Sequence, residues 1–359
     1  MITVAGIGRA KPSEQSGPQA WQYLSPRDCY TKTGQETKME ATALILREMG
    51  ASVPYAESQP LSLETITLAD PGPGEVLVRI TAAGLCHSDL SVINGDRPRP
   101  LPMALGHEAT GVVEAVGDAV TGLSVGDHVI SVFVPSCGKC PPCREGRPAL
   151  CETAIAHNTA GTLVSGKRRI TDADGVEVNH HLGCSAFASH AVMSVDSLVK
   201  IDQHLPPEYA ALFGCAVLTG VGAVVNTAQL SAGQTVAVVG LGGVGLAALL
   251  GAVAGGASEI VAVDVHQDKL DFARSLGATA GVLAGPDAAD EIREVTRGGV
   301  DIGVETAGVV PALQTAYGGT KRGGTMVTAS LPNPAATWAI TPVMLVAEER
   351  TIKGSYVGS

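Results

Sequence analysis

Residues 236–257 run for 22 positions without a charge, and seven of those positions are glycine. By length and apolarity alone such a segment could cross a bilayer as a helix. Its glycines argue otherwise, because the first four fall in Gly240-Leu-Gly242-Gly243-Val-Gly245, directly after the β-branched run 235–239. A strand, a glycine turn and a helix fit this pattern. Gly240 permits the tight turn, Gly242 lets a pyrophosphate approach the backbone, and Gly245 allows close packing of helix on strand. A lone G-x-G-x-x-G is weak. Here a second strand, 259–263, leads into Asp264, 19 residues after Gly245. An acid at that place accepts the two ribose hydroxyls of a dinucleotide and repels a 2′-phosphate, which favours NAD over NADP. Gly243 and Val244 sit inside the same turn, and Lys269 is also within reach of the ribose. A solvated acid at a strand end and an exposed lysine are the plainer readings of those two side chains.

Around this motif the texture of the chain changes. Between about residues 60 and 215 short Val/Ile runs (75–81, 110–116 and 128–134) alternate with Gly/Pro turns, which predicts a β-rich domain. Beyond 216, strands at 235–239, 259–263, 278–283, 300–305 and 325–329 alternate with helices such as 268–276 and 286–296. That order predicts a doubly wound parallel sheet and an α/β fold. We expect residues 39–215 to form the β-rich domain and residues 216–355 the dinucleotide domain. Residues 1–38 read as an irregular extension, with Met39 and the run 41–46 opening the first strand.

Cysteine spacing adds metal. Cys137, Cys140, Cys143 and Cys151 place four thiolates within fifteen residues of a Gly/Pro-rich loop, about 135–152. Four soft ligands suit a closed, structural zinc site. Cys86, His107 and Cys215 are dispersed, and a lone buried cysteine is usually a small hydrophobe. Two thiolates and one imidazole would nevertheless leave one position of a tetrahedral zinc open, the arrangement of a catalytic site. Lys plus Arg minus Asp plus Glu gives 24 − 35 = −11, with no basic run, so nucleic acid is a poor partner. The chain shows no secretory pattern at its start, and the cysteine spacing favours metal over disulfides. We expect a cytoplasmic protein with no membrane association.

With these residues in hand, the chain resembles the zinc-dependent alcohol dehydrogenases of the medium-chain dehydrogenase/reductase superfamily, over about residues 40–359. The segments 84–89 (GLCHSD), 106–108 (GHE) and 240–245 (GLGGVG), the four-cysteine lobe and Asp264 occur in family order. The stretch 180–187 resembles the longer loop of the liver-type, dimeric branch. The resemblance implies a Rossmann domain joined to a GroES-like catalytic domain, two zinc ions per chain, NAD, a small alcohol or aldehyde substrate and a homodimer. It matches Cys86, His107 and Cys215 to the catalytic zinc and the four-cysteine lobe to the structural one. Asp89 matches the acceptor that orients the histidine ligand, and Glu108 a carboxylate near the metal. Ser88 matches the hydroxyl that takes the substrate proton, and His87 a cofactor-phosphate contact. Phe133, His181, Leu182 and Tyr356 fall where the family lines its substrate pocket.

The implied reaction passes the alcohol proton through Ser88 and a hydride to NAD, in a cleft between the domains. Three positions depart from the family. Ser91 stands where a histidine often ends the proton relay. Arg97 and Ile155 occupy positions where the glutathione-dependent formaldehyde dehydrogenase branch uses its charged residues. A thiol-dependent formaldehyde dehydrogenase is the enzymatic alternative, and a zinc- and NAD-binding sensor the non-enzymatic one. Residues 351–357 read as a strand, after which family members return to the catalytic domain. On that basis residues 356–359 begin a truncated return, and the chain is expected to be a fragment of a longer reading frame.

Overall fold

The structure, a computed structural model, describes residues 38–359. The expected 1–38 extension therefore lies outside the described residues, apart from Lys38. The β-rich part contributes ten strands: β1 (Lys38–Leu46), β2 (Leu61–Ala69), β3 (Glu75–Ala83), β4 (Met103–Ala104), β5 (Ala109–Val116), β6 (His128–Ser131), β7 (Ile170–Thr171), β8 (Glu177–His180), β9 (His190–Ser194) and β10 (Leu198–Lys200). Strands β1, β2, β7, β8 and β4 close into a barrel, and β10-β6-β5-β3-β9 form a five-stranded sheet. The alternation in β1 sends Ala41, Ala43 and Ile45 inward, where they pack with Ile66, Leu68 and Val178. Side chains of period two bury one face of each strand, as a half-solvated antiparallel sheet requires.

Six further strands, β11 (Thr235–Val239), β12 (Glu259–Asp264), β13 (Ala280–Leu283), β14 (Val300–Glu305), β15 (Thr320–Thr328) and β16 (Thr351–Gly354), make one sheet. Every neighbouring pair is parallel. Their order is β13-β12-β11-β14-β15-β16, so the direction of winding reverses between β11 and β14. Ligands bind at such a switch point, beyond the carboxyl ends of the strands. Val236, Val238, Ile260 and Ile302 face one core and Ala237, Val239, Val261 and Val300 the other, so the central strands are apolar on both faces.

The 236–257 segment resolves as β11, the glycine turn and a helix, α3 (Gly243–Ala254). Among the described residues no single helix is long and apolar enough to cross a membrane. Some expected strands are shorter. The run 128–134 stops at Ser131, because Val132 donates instead to Ser197 O and Phe133 O accepts from Asn158 Nδ2. The run 351–357 stops at Gly354, where Ser355 N still bonds Thr328 O and Val357 turns to a φ of 55°. Both departures bring an aromatic side chain, Phe133 and Tyr356, off the sheet and toward one cleft.

Candidate active site

Three segments converge at that cleft. Helix α1 (His87–Ile93) begins at Cys86, whose backbone N–H is held by Asp89 Oδ2 at 3.2 Å. His107 lies in the bend between β4 and β5. Gly106 makes that bend with a φ of 92°, and a Cβ there would overlap the backbone of Phe187. Cys215 caps a third element, α2 (Ala216–Gly222). One donor atom from each of Cys86, His107 and Cys215 lies within 4.8 Å of the others.

His107 is fully buried. Its Nδ1 is 3.0 Å from Asp89 Oδ1, while its Nε2 has no hydrogen-bond partner. A carboxylate on one ring nitrogen and an orphaned, buried second nitrogen beside two sulfurs is the donor set of a metal-ligating histidine. Burial works against charge on Asp89, but the His107 and His181 rings beside it hold its carboxyl well below the usual range. Cys215 first, and then His107, draw the Cys86 thiol down to about 4 against the cost of burial. Glu108 sits behind this group, with Oε2 accepting from Ala216 N at 3.3 Å. Burial, and next the Cys86 charge, push its carboxyl up to about 7. A Cβ on Gly84 would strike the Glu108 side chain, so glycine there makes the room.

A second donor group is remote from the first in sequence. Cys137, Cys140, Cys143 and Cys151 bring four sulfurs within 4.8 Å. Backbone N–H groups of Cys137 (3.3 Å) and Ala154 (3.5 Å) point at Cys151 Sγ, and that of Cys140 (3.4 Å) points at Cys137 Sγ. Such donors stabilise thiolates, the form that binds metal. Both donor sets therefore fit zinc, the first with one side open and the second closed by four sulfurs.

The open side faces a chamber of about 310 Å³, walled by Cys86, Ser88, Ser91, Arg97, Phe133, Cys215, Val244 and Tyr356 among others. Phe133 meets His107 edge-on at 5.2 Å between ring centroids, and Tyr356 meets Phe133 at 6.2 Å. Ser91 Oγ donates to His87 O within the helix, at 2.9 Å. His87 also lines the chamber. His181 and Leu182 are not on this wall. His181 is buried with Nδ1 3.2 Å from Asp89 Oδ1, and Leu182 packs in the core behind Phe133.

Ala307 and Val309 belong both to this chamber and to a second one of about 370 Å³, lined by Gly240, Val263, Asp264 and Pro286. The two form one groove across the β11/β14 switch point. Gly240 has a φ of 95°, a Cβ on Gly245 would overlap Gly240 O, and a Cβ on Gly242 would meet nothing within 4 Å. Two glycines are thus demanded by packing, and Gly242 keeps open the space a pyrophosphate would need. Asp264 Oδ2 accepts from Leu241 N at 2.8 Å and lies 3.5 Å from Lys269 Nζ.

Sequence reasoning passed over Glu305. Fully buried at the end of β14, it accepts from Ala307 N, Gly308 N, Thr328 Oγ1 and Ser330 Oγ at 2.5–2.7 Å. Its signal was available, since an acid closing an apolar parallel strand at the switch point has no packing reason to be there. Two bonds cross the mouth of the cleft between the domains: Arg97 Nη2 to Pro332 O at 2.9 Å and Asn333 Nδ2 to Asp96 Oδ1 at 2.7 Å.

Comparison with known proteins agrees with this geometry. Residues 72–203 match the alcohol dehydrogenase GroES-like domain and residues 243–359 the zinc-binding dehydrogenase domain. The class-3 alcohol dehydrogenase of Drosophila melanogaster is 38% identical over 316 residues, 86% of this chain and 83% of that protein. Benzyl alcohol dehydrogenase from Acinetobacter calcoaceticus superposes with a TM-score of 0.80 at 33% identity, covering 89% of this chain and 85% of that one. A Sinorhizobium meliloti zinc-binding dehydrogenase bound to NADP gives a TM-score of 0.70 at 27% identity over 89% of this chain and 84% of that one. With both domain matches and a relative 38% identical over 86% of the chain, this protein belongs to the zinc-dependent alcohol dehydrogenases of the medium-chain dehydrogenase/reductase superfamily.

Proposed function

We propose that the chain oxidises small alcohols, and reduces the matching aldehydes or ketones, with NAD(H) and two zinc ions per chain. The observation that carries this reading is the buried, unpartnered His107 Nε2 grouped with two sulfurs at the wall of a chamber continuous with the dinucleotide groove. Cys86, His107 and Cys215 would hold the catalytic ion, and the four-cysteine lobe the structural one. Zinc supplies Lewis acidity toward an alcohol oxygen, and the nicotinamide supplies the hydride acceptor.

The protein residues do the rest. Asp89 holds the His107 ring in the tautomer that presents Nε2 to the cleft. Ser88, on the chamber wall, takes the alcohol proton. Ser91 is bonded to a backbone carbonyl and is not a base, so the proton leaves through water. Phe133 and Tyr356 exclude solvent from the reacting carbon. Gly240, Gly242, Gly243, Val244 and Gly245 give the pyrophosphate its turn, and His87 a contact on the opposite wall. Asp264, with Lys269, selects the ribose with a free 2′-hydroxyl. Glu108 lies beside the segment that carries Cys215, with Oε2 on Ala216 N and its carboxyl pushed up to about 7 by burial.

Homodimer formation is supported by a short helix, α4 (Pro342–Ala347), that buries none of its six residues. Val343 and Val346 are 65% and 76% exposed. Unpartnered apolar surface of this kind is normal at subunit interfaces. Cysteines grouped as metal ligands fit a reducing cytoplasm. The experiment is NADH absorbance with a panel of primary and secondary alcohols, before and after zinc chelation. Zinc-dependent turnover with at least one simple alcohol is expected, and none with any alcohol in fully zinc-loaded protein would refute the reading.

A further inference from the structure

We propose that His181 is a positioning residue of the open donor set: its Nδ1–H draws on the same Asp89 oxygen that orients His107, and so limits the charge Asp89 lends to His107 as a metal ligand. This rests on the catalytic-zinc reading above and takes the place of the substrate-pocket role that resemblance gave His181. Asp89 Oδ1 lies 3.0 Å from His107 Nδ1 and 3.2 Å from His181 Nδ1, and it accepts from Gly106 N at 3.2 Å. The two imidazoles meet edge to face, with 5.6 Å between centroids. A carboxylate oxygen has two lone pairs, so three donors crowd it. The His181 contact is the one left out of alignment: its Nδ1 makes no regular hydrogen bond and has no other partner.

Packing does not explain this ring. His181 is fully buried, and a phenyl group would fill the same space with no polar atom to desolvate. Burial, against the pull of Asp89, lowers its pKa, so the ring is neutral and carries one N–H. That proton sits on Nδ1, because a bare nitrogen 3.2 Å from a carboxylate oxygen would set lone pair against lone pair. The loop holds the ring there at a backbone cost. Leu182 and Ser185 take φ values of 51° and 52°, where glycine is the usual residue. The same loop is tied to the His107 segment, with Ala186 N donating to Gly106 O at 3.0 Å. Cys86 N, Gly106 N and His107 hold Asp89 without His181, so removing the ring nitrogen leaves the carboxylate in place and alters only how its charge is shared. An outer carboxylate makes a ligating histidine more basic, and a second N–H on the same oxygen tempers that.

The experiment uses protein with zinc in the four-cysteine lobe and cobalt(II) at the open donor set. It records the visible spectrum and the rate at which a chelator removes the cobalt. In His181→Phe, with Asp89 serving His107 alone, release should slow by about tenfold, the low end of what the outer partners of a ligand carry, and the visible bands should move. His181→Asn, whose amide N–H stands at the Nδ1 position, should restore both readings. A purely structural ring would lower the unfolding midpoint of both variants and leave the spectrum alone. If His181→Phe does not fold, His181→Gln, whose amide stands at the Nε2 position, removes the donor instead. Faster release in His181→Phe, an unchanged spectrum, or equal effects of the Phe and Asn variants overturn the inference while leaving the proposed function standing. Wild type that takes up metal only in the four-cysteine lobe overturns the catalytic-zinc reading, and this inference with it.

Discussion

Glu305 offers a quantitative test of how the groove is held open. Its Oε1 accepts two backbone N–H groups, from Ala307 (2.7 Å) and Gly308 (2.6 Å), and its Oε2 accepts two hydroxyls, from Thr328 (2.7 Å) and Ser330 (2.5 Å). In Glu305→Ala the hydroxyls can rotate to other acceptors, but the two amides cannot. Each orphaned buried amide costs about 1–3 kcal/mol, so the loss should be about 2–6 kcal/mol before any cavity term. Glu305→Gln is different. Its carbonyl can replace Oε1, and its NH₂ can donate to the two hydroxyls once they turn. What is lost is charge assistance, partly offset by removing a buried charge, for a net cost of about 1–2 kcal/mol. The assay is urea unfolding of zinc-loaded protein followed by a cofactor-domain probe, with KM for NAD measured alongside. Ala307 lines both chambers of the groove, so KM for NAD should rise in both variants and more in the alanine. If Glu305→Ala cost less than about 1 kcal/mol, or no more than Glu305→Gln, the assignment of stabilisation to these amides would be wrong.

Other tests address the metals, the cofactor and the core. Cys151→Ser should lower stability and zinc content by one ion, while Cys86→Ser should leave the fold largely intact and abolish turnover; metal analysis and circular dichroism decide it, and a single zinc in the loaded wild type would refute it. Asp264→Gly should erode the preference for NAD over NADP, and equal efficiency of the two cofactors in the wild type would refute the ribose assignment. His180 accepts from Arg169 N at 3.1 Å through Nε2 and is therefore neutral in the fold. Burial, with Arg168 and Arg169 beside it, lowers its pKa to about 3, so the unfolded chain binds the extra proton first. Stability from this group is complete above about pH 6.5 and is lost as pH falls below it, by about 2 kcal/mol at pH 5. His180→Gln should remove that increment, and parallel pH–stability curves for variant and wild type would show the cause lies elsewhere.

Features written in local spacing were legible before the structure. The glycine turn, the acid closing β12, the four-cysteine lobe and the alternation of strands and helices each depend on residues close in sequence, where one geometry dictates the residue type. Cys86, His107 and Cys215 were legible only through resemblance, because up to 129 positions separate them and no periodicity links them. His181 and Leu182 show the limit of carrying over a pocket position by position. Both are buried behind Phe133 and Asp89, and the wall is instead completed by Val244, Thr306 and Asn333 from the other domain. Strand ends were misjudged where a side chain outcompeted the ladder. Asn158 takes the carbonyl of Phe133, a tertiary bond that no local propensity encodes.

The placement of Cys215 makes the candidate metal site depend on both parts of the chain. Cys86 and His107 belong to the β-rich domain, but Cys215 stands at the start of α2, whose far end is tied to the parallel sheet. A Cβ on Gly222 would overlap Gly358, Asn226 Nδ2 donates to Gly358 O at 3.0 Å, and Thr227 Oγ1 to Ser355 Oγ at 2.8 Å. At its near end the same helix is held by Glu108, through Ala216 N. Helix α2 is thus held at both ends, by Glu108 of the β-rich part at Ala216 and by Gly358 against Gly222, and the residue that opens it, Cys215, completes the donor set with Cys86 and His107.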